Sequence, residues 1–154
     1  MRFWDICGGE KMKLSTKGRY GLKAMVDLAI HGSEGQIALK SIAERQDISE
    51  NYLEQLFATL RKAGLVKSVR GSQGGYTLSQ SSESITVGEI LRALEGSLTP
   101  AECVSELETM KCSKSEECIT RTIWEKIRDK VNEVVDSITL ADLIEDYYKM
   151  KNKN

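Results

Sequence analysis

A chain of 154 residues with 40% hydrophobic and 29% charged residues has the composition of an ordinary folded protein, which excludes disordered and fibrous classes. It has neither the roughly 18-residue apolar run of a membrane span nor a secretory signal, so we expect a cytoplasmic location and no membrane partner. Residues 12–80 contain ten basic and six acidic residues, whereas residues 81–154 contain ten basic and fifteen acidic ones. No acid occurs between Gln55 and Ser82, so a polyanion could approach this stretch without local repulsion.

Three helices are predicted in the first 63 residues. Apolar residues recur at helical spacing over 14–31, after Ser15 and Thr16 as candidate caps, and again over the short stretch 39–45. Asp47 and Ile48 then form a tight turn. A third helix over 49–63 stops at Gly64 and has an apolar face of Leu53, Leu56, Phe57 and Leu60. Helix, tight turn, helix is the predicted order.

A β-hairpin is predicted directly after the third helix, in the place of a wing. Residues 65–69 and 76–78 have strand composition, and the glycine-rich stretch 70–75 permits the positive φ angles of a turn. Thr86 and Glu89 then have the spacing of a capping box, which opens a helix that runs through Leu94 and ends at Gly96.

The C-terminal part is predicted to contain a long helix after an irregular segment. Residues 97–118 have weak periodicity, and after them apolar residues alternate at spacings of four and three, in a seam of Ile123, Ile127, Val131, Val134 and Ile138. Such a seam suits pairing with a second helix, but it could also cover the helix's own domain. A short helix is expected from Thr139 through Tyr148, followed by a frayed end over 149–154.

These elements predict a mainly α fold with a small β-hairpin, that is, a winged helix-turn-helix followed by a long C-terminal dimerisation helix. The expected divisions are a DNA-binding domain over 12–96, a cysteine-containing loop over 97–118, and a dimerisation helix and tail over 119–154. Residues 1–11 match none of these elements. Because Gly8-Gly9-Glu10-Lys11 resembles a translated ribosome-binding site, we hypothesise that Met12 is the biological start, which an intact mass would test.

The third helix has a polar face suited to reading bases. Asn51, Glu54, Gln55 and Ala58 are spaced three, four and seven apart, opposite the apolar stripe. Asn and Gln can pair with adenine, Glu can accept a hydrogen bond from cytosine N4, and a small residue lets the helix lie close to the groove. The sequence therefore predicts contacts of this helix with double-stranded DNA.

Basic side chains follow this face. Arg61, Lys62 and Lys67 are expected to hold phosphates, which position the protein, and Arg70 at the root of the wing is suited to a narrow minor groove. Two alternatives stay open at this point. The polar face could be only a solvated helix face, and winged helices also serve as protein-docking modules.

The chain resembles a known family of winged-helix regulators, the one that includes IscR, NsrR and CymR. The stretches MKLSTKGRYGLKAMVDLA, SENYLEQLFATLRKAGLVKSVRGSQGGY and ITVGEILRALEG carry the resemblance, which covers roughly Met12 to Leu143. It implies a homodimeric transcription regulator of operator DNA. It also implies that operator contacts are made by Asn51, Glu54, Gln55 and Arg70, with Glu54 at the position that discriminates between sites.

Three cysteines in the irregular segment, Cys103-x8-Cys112-x5-Cys118, are candidate metal ligands. Clustered thiols in a reducing compartment bind soft metals. Structural zinc sites usually have closely spaced cysteine pairs and four ligands, neither of which is visible here. A reversible disulfide, or cysteines without a function, remain alternatives. IscR and NsrR have three cysteines in this place whereas CymR-like members lack them, so the resemblance implies an iron-sulfur cluster, with [2Fe-2S] favoured through the likeness to IscR.

The fourth cluster ligand is not evident from the sequence. Arg121 stands where IscR-type proteins have a histidine, and Arg19 stands where NsrR-like members have a carboxylate. Glu102, Glu116, Glu117 or an exogenous thiol are the remaining candidates, so [4Fe-4S] stays open. The only histidine, His31, is expected at the end of the first helix rather than at the cluster.

The expected function is a DNA-binding repressor of iron-sulfur cluster biogenesis genes that is controlled by the cluster. The alternatives are a nitric-oxide or redox-sensing repressor of the same family and a cluster-free, CymR-like regulator of cysteine metabolism. An enzyme is not expected, because the sequence has no catalytic histidine partner and no cofactor-binding glycine motif. Cluster loading is expected to order residues 97–118 and thereby change operator choice.

Overall fold

The computed structural model of the chain describes residues 14–107 and 112–153. The predicted extension over residues 1–11 lies outside these ranges. The elements follow in chain order as helices α1 (Thr16–His31), α2 (Leu39–Gln46) and α3 (Glu50–Lys62), strands β1 (Val66–Val69) and β2 (Gly75–Leu78), and helices α4 (Val87–Glu95), α5 (Arg121–Ser137) and α6 (Leu140–Lys151). The prediction of a mainly helical fold with one hairpin is confirmed.

Local capping residues explain where most helices begin. The Ser15 hydroxyl accepts a hydrogen bond from the Lys17 N–H and starts α1, and Ser49 serves α3 in the same way. Thr86 and Glu89 form the predicted capping box of α4. Asp47 adopts a left-handed conformation with φ 52° between α2 and α3, which confirms the tight turn of the helix-turn-helix.

The main core lies between the first four helices and the hairpin. Its fully buried side chains come from α1 to α4, from β1 and from the segment before α4, and one comes from the C-terminal helix α6. Burying each large aliphatic or aromatic side chain contributes about 1.5–3 kcal/mol. The largest of them are Phe57, Met25, Leu28, Ile42, Leu53, Leu60, Ile85, Ile90 and Leu140.

The hairpin is fixed to the segment before α2. Strands β1 and β2 pair antiparallel with Val66 opposite Leu78 and Val69 opposite Gly75. Ile37 adds an isolated bridge to Tyr76, in which the N–H of each residue donates to the carbonyl of the other. The nitrogen-to-oxygen distances are 2.9 and 2.8 Å. A Cβ on Gly75 would lie 2.3 Å from the Ile37 carbonyl oxygen, so only glycine allows this approach.

The long helix α5 ends earlier than its apolar seam predicts. Ile138 is extended, with φ −106° and ψ 124°, and its carbonyl accepts a hydrogen bond from the Val87 N–H at 2.8 Å. The Leu140 N–H donates to the Ile85 carbonyl at 2.9 Å, around a bridge between Thr86 and Thr139. The prediction that Ile138 continues the helix is wrong, because backbone pairing with the start of α4 replaces helical hydrogen bonds there.

Helix α6 extends beyond its predicted end. It begins at the expected capping box of Thr139 and Asp142 but continues to Lys151 rather than stopping at Tyr148, so the predicted fraying is wrong for residues 149–151. Lys149 pairs with Glu145 at 2.7 Å, one helical turn earlier, which supports this last turn. None of the helices in the described ranges is both long and apolar enough to cross a membrane.

Candidate nucleic-acid interface and cysteine segment

The predicted reading face of α3 is exposed. Asn51, Glu54 and Gln55 are all exposed, whereas Leu53 and Phe57 on the opposite face are completely buried. The apolar stripe therefore fixes which side of α3 faces solvent. Ala58, predicted to lie against the groove, is only half-buried and adds no bulk to the exposed side.

Basic residues lie at the end of α3 and on the hairpin. Arg61 and Lys62 occupy the last turn of α3 and are exposed, as are Lys67 on β1 and Arg70 after it. The Arg61 Nη1 donates to the Ser68 hydroxyl at 3.4 Å, so α3 and β1 meet through one of the predicted phosphate-binding side chains. The interface thus combines an exposed polar helix face with positive charge at its end.

An aromatic contact joins α3 to the start of α1. The rings of Tyr52 and Tyr20 meet edge to face with centroids 6.1 Å apart, and the Tyr52 hydroxyl donates to Thr16 Oγ1 at 3.4 Å. The Lys23 ammonium lies 5.8 Å from the Tyr20 ring centroid. Our sequence reasoning missed this contact, since no local pattern relates residues 36 positions apart.

A buried ion pair, which we also did not predict, fixes α2 on α1. Asp27 is 1% exposed and accepts hydrogen bonds from Arg45 and from Gln46 Nε2, the latter at 2.8 Å. The predicted end of α1 at His31 is confirmed. Its Nδ1 lies 2.9 Å from the Asp27 carbonyl oxygen and 3.5 Å from the Asp27 carboxylate.

The three cysteines lie along the segment between α4 and α5. Cys103 is in a short helical turn over Glu102–Val104, Cys112 is in an irregular stretch, and Cys118 precedes α5. All three are half-buried. Hydrogen bonding to the Thr120 hydroxyl, with Sγ to Oγ1 at 3.2 Å, and then to the Arg121 backbone lowers the pKa of the Cys118 thiol.

The donor set fits an iron-sulfur cluster in kind, since the segment supplies three thiols. Its described geometry does not assemble a site. Over residues 14–107 and 112–153, no three side chains of the Cys, His, Asp and Glu types lie together in a group that could hold a metal ion. Arg121, in the position of the missing histidine, instead pairs with Glu125 at 3.0 Å. Among the candidate fourth ligands, Glu102 is half-buried, whereas Glu116 and Glu117 are exposed.

Among the described residues, Arg128 and Asn132 of α5 hydrogen-bond to the cysteine segment. The Arg128 Nη1 donates to the carbonyl of Val104, next to Cys103, at 3.1 Å. The Asn132 amide donates to the Glu106 carboxylate at 2.6 Å. Two residues that follow Cys103, Val104 and Glu106, are thus held by consecutive turns of α5.

The arrangement of helix-turn-helix, hairpin and C-terminal helices has counterparts among known proteins. A family model described as "Rrf2: Iron-dependent Transcriptional regulator" matches residues 14–146. The chain belongs to the Rrf2 family. Its members that resemble this chain are transcription regulators, and this chain is a transcription regulator rather than an enzyme.

Rrf2 proteins named CymR and others named IscR are among those similar to it. The HTH-type transcriptional regulator CymR of Bacillus subtilis is 51% identical over 132 residues, which cover 86% of this chain and 89% of CymR. The solved structure of that protein, described as the global cysteine regulator, has a TM-score of 0.71 and 48% identity over 86% of this chain and 96% of the CymR chain. These likenesses confirm the winged-helix fold.

The second kind of Rrf2 relative is IscR. The structure of T. potens IscR has a TM-score of 0.70 and 52% identity, and covers 88% of each chain. The HTH-type transcriptional regulator IscR of Erwinia tasmaniensis is 42% identical over 133 residues, which cover 86% of this chain and 79% of that protein. The predicted resemblance to a family that includes CymR and IscR is therefore confirmed, and the identities to the two kinds overlap.

Proposed function

We propose that this Rrf2 regulator binds operator DNA as a cytoplasmic homodimer and represses iron-sulfur cluster biogenesis genes under the control of a cluster on Cys103, Cys112 and Cys118. The observation that carries the proposal is the attachment of the cysteine segment to α5 through Val104 and Glu106. This attachment links a thiol-rich segment to the helix that packs on the DNA-binding domain. Binding of a cofactor to the thiols could thereby change the affinity for operator DNA through α5.

DNA recognition would combine base contacts with phosphate contacts. In a major groove, the exposed Asn51 and Gln55 would each address an adenine, and Glu54 would accept a hydrogen bond from cytosine N4. The charges at the end of α3 and after β1 would fix the helix on the backbone and the wing in the minor groove. The residues in these roles are Arg61, Lys62 and Arg70.

The exposed side of α5 supports the dimer. Val131, Val135 and Ile138 pack against the chain's own cluster of Val87, Leu91 and Leu98, so part of the seam covers its own domain. Ile123 and Val134 are 52% and 55% exposed, and they line an open apolar groove with Ile127 and Val131. A second copy of α5 would cover these side chains in a two-fold, self-complementary contact.

The cofactor proposal rests on the chain's own thiols. When bound, an iron-sulfur cluster supplies a group whose loss or oxidation responds to iron supply and oxidants. Cys103, Cys112 and Cys118 would hold it, and we favour [2Fe-2S] from the similarity to IscR. Because the described geometry does not group the three thiols, the segment would have to rearrange, and Arg128 and Asn132 would pass this rearrangement to α5.

Anaerobic reconstitution with iron and sulfide tests the proposal. The wild type is expected to become coloured and to contain iron and sulfide. Its affinity for DNA selected from a random pool should then differ at least about fivefold between the loaded and unloaded forms. The triple C103S/C112S/C118S variant should lose both the colour and the difference, whereas C7S, the matched control, should retain both. Equal affinities of the two forms for all selected DNA would contradict cluster control.

A second candidate is a cluster-free regulator of cysteine metabolism. The 51% identity to CymR favours it, and so does the absence of an assembled metal-binding group over the described ranges. The three cysteines count against it, because the family resemblance implies that CymR-like members lack the triplet. A protein that stays colourless and iron-free in the same reconstitution would favour this second candidate over cluster control.

A further inference from the structure

A polar cluster joins the DNA-binding domain, the long helix and the cysteine segment at one place. We call it the Arg92 junction, and it consists of Arg92 on α4, Asn132 and Asp136 on α5, and Glu106 in the cysteine segment. Arg92 Nη1 and Nη2 donate to the two carboxylate oxygens of Asp136 at 2.7 and 2.8 Å. Arg92 Nη2 also donates to Asn132 Oδ1 at 2.9 Å, and Asn132 Nδ2 donates to Glu106 Oε1 at 2.6 Å.

Asn132 is the member that connects the two ends of the junction. Its amide oxygen accepts from Arg92 while its amide nitrogen donates to Glu106. A carboxylate in this position could still accept from Arg92 but could not donate to Glu106, whereas an alkyl side chain could do neither. The amide thus links α4 to the cysteine segment through two hydrogen bonds. A substitution can remove one of these hydrogen bonds and keep the other.

The junction orients α5 on α4 rather than supplying most of their adhesion. An apolar cluster of Val87, Leu91 and Leu98, with Val131 and Val135 packed on it, already holds the two helices together. The side chains of Arg92 and Asp136 are 29% and 47% exposed, and ion pairs of such exposure contribute little to stability. The two parallel hydrogen bonds nevertheless have a strict direction, which an apolar contact lacks.

A glycine on α4 leaves room for the contact between Arg92 and Asp136. A Cβ on Gly88 would lie 2.0 Å from Asp136 Oδ1 and 2.7 Å from Arg92 Nη1. The glycine therefore allows the Asp136 carboxylate to lie directly against α4. Loss of the Glu106 contact would leave the Asn132 amide held only through its oxygen, by Arg92, so that its side chain could turn and change the geometry of the Arg92 hydrogen bonds.

We propose that Asn132 is a positioning residue that transmits the state of the cysteine segment to α4, and thereby to the angle of the winged domain on α5. Rearrangement of the segment displaces Glu106, releases the Asn132 amide and changes the geometry of the Arg92 fork. This inference rests on the proposed function, because the cluster-loaded cysteine segment is one of the states that Asn132 would transmit to α4. Chemical modification of the thiols supplies another state that does not require a cluster.

The test compares N132D with E106Q in a C7S background. N132D keeps an acceptor for Arg92 and loses the donor to Glu106, whereas E106Q keeps an acceptor for the Asn132 amide. The segment is altered in two separate arms, by reconstitution with iron and sulfide and by alkylation of the thiols with iodoacetamide. The readouts are the ratio of DNA affinities of altered and unaltered protein, and amide hydrogen exchange over residues 87–95. DNA selected by the unaltered protein serves as the ligand.

The C7S parent and E106Q are expected to show an affinity ratio of at least about fivefold in each arm, together with altered exchange in α4. In N132D the ratio should fall to within about twofold of unity, because its carboxylate repels Glu106 and the unaltered protein should already bind DNA with the affinity of the altered parent, while its melting temperature stays close to that of the parent. The melting temperature separates this effect from general destabilisation.

Each outcome has a distinct meaning. A parent that responds to alkylation but not to iron and sulfide would refute cluster control and still support the junction, provided that N132D abolishes the response. An N132D protein that retains the parental ratio would overturn the role of Asn132. A parent that shows neither an affinity change nor altered α4 exchange in either arm would overturn it as well, because no signal would then reach α4.

Discussion

Arg45 donates from Nε to both carboxylate oxygens of Asp27, at 3.1 and 3.0 Å, although Asp27 is only 1% exposed. The Gln46 amide adds a further hydrogen bond to the same carboxylate at 2.8 Å. The first helix of the helix-turn-helix is therefore fixed to α1 by a charged contact. A buried carboxylate persists in a core only when its hydrogen bonds are satisfied in this way.

Replacing this carboxylate should destabilise the fold. We expect D27A to lower the free energy of unfolding by about 2–4 kcal/mol, because Arg45 and Gln46 lose their buried acceptor. Urea unfolding followed by circular dichroism gives the change. The control is E44A, which removes an exposed acid on α2 next to Arg45 and should change stability by no more than about 0.5 kcal/mol. Equal effects of the two substitutions would contradict a structural role for Asp27.

Close packing of α1 on α4 should make one glycine sensitive to a single methyl group. A Cβ on Gly21 would lie 2.1 Å from Leu94 Cδ1, whereas a Cβ on Gly32 would meet nothing nearer than 3.8 Å. We expect G21A to cost about 1–3 kcal/mol through overpacking and G32A to cost much less. Thermal unfolding of the two variants provides the comparison. A G21A protein as stable as G32A would show that Leu94 can move aside freely.

Stability should depend on pH through Asp136. The hydrogen bond from Arg92 lowers the pKa of Asp136 below its ordinary 3.8. The ionised carboxylate therefore contributes stability above pH 3.8, and this contribution is lost as pH falls through the lower folded-state pKa. We expect D136N to be less stable than wild type by a constant amount from about pH 7 to 5 and the difference to shrink below about pH 3.8. Urea midpoints measured across this range test the sign, and a difference that grows towards acid pH would refute it.

Contacts to phosphate and to bases should separate in their salt dependence. K62A is expected to reduce the slope of log Kd against log salt by about 0.9, the value for one lost phosphate contact. E54A should leave that slope unchanged and relax base preference at one position of the selected DNA. Fluorescence anisotropy at several salt concentrations measures both. K149A, which removes an exposed lysine from α6, is the control and should leave the slope at its wild-type value.

Dimerisation through α5 should be sensitive to charge on its exposed apolar side. V134E places a carboxylate on a residue that is 55% exposed in the single chain and covered in the proposed dimer. We expect the dimer dissociation constant to rise at least about tenfold, because an unpaired charge would be buried on association. Sedimentation velocity gives the constant. M150E, at a residue that is 70% exposed on α6, serves as the control and should sediment like wild type.

Elements with local signals were predictable from the sequence. The capping box of Thr86 and Glu89 involves residues three apart, and the stripe that includes Leu53 and Phe57 determines which side of α3 is exposed. Each signal lies within a single element, the first in α4 and the second in α3. The start of α4 and the candidate DNA-reading face of α3 could therefore be predicted from local sequence. The placement of Asn51 on an exposed face follows from the same periodicity.

Features that depend on distant partners could not be predicted. The sequence does not indicate that Asp27 is buried. The Arg45 side chain that satisfies its carboxylate is 18 residues away on another helix. The end of α5 before Ile138 depends on hydrogen bonds to residues 85–87, and periodicity alone extends the helix past it. The cysteine segment has no period at all, so neither its contacts with α5 nor the arrangement of its thiols could be derived from spacing.

The double hydrogen bond between Ile37 and Tyr76 has a consequence for how a dimer fits its target. Because these hydrogen bonds bridge the hairpin to the turn that leads into α2, the wing is fixed to the helix-turn-helix. In the proposed dimer, the distance between the helix contact and the wing contact within one half-site would therefore be set within each subunit. Adjustment to a longer or shorter palindrome would then have to come from tilting whole domains about the proposed two-fold axis, with the footprint within each half unchanged.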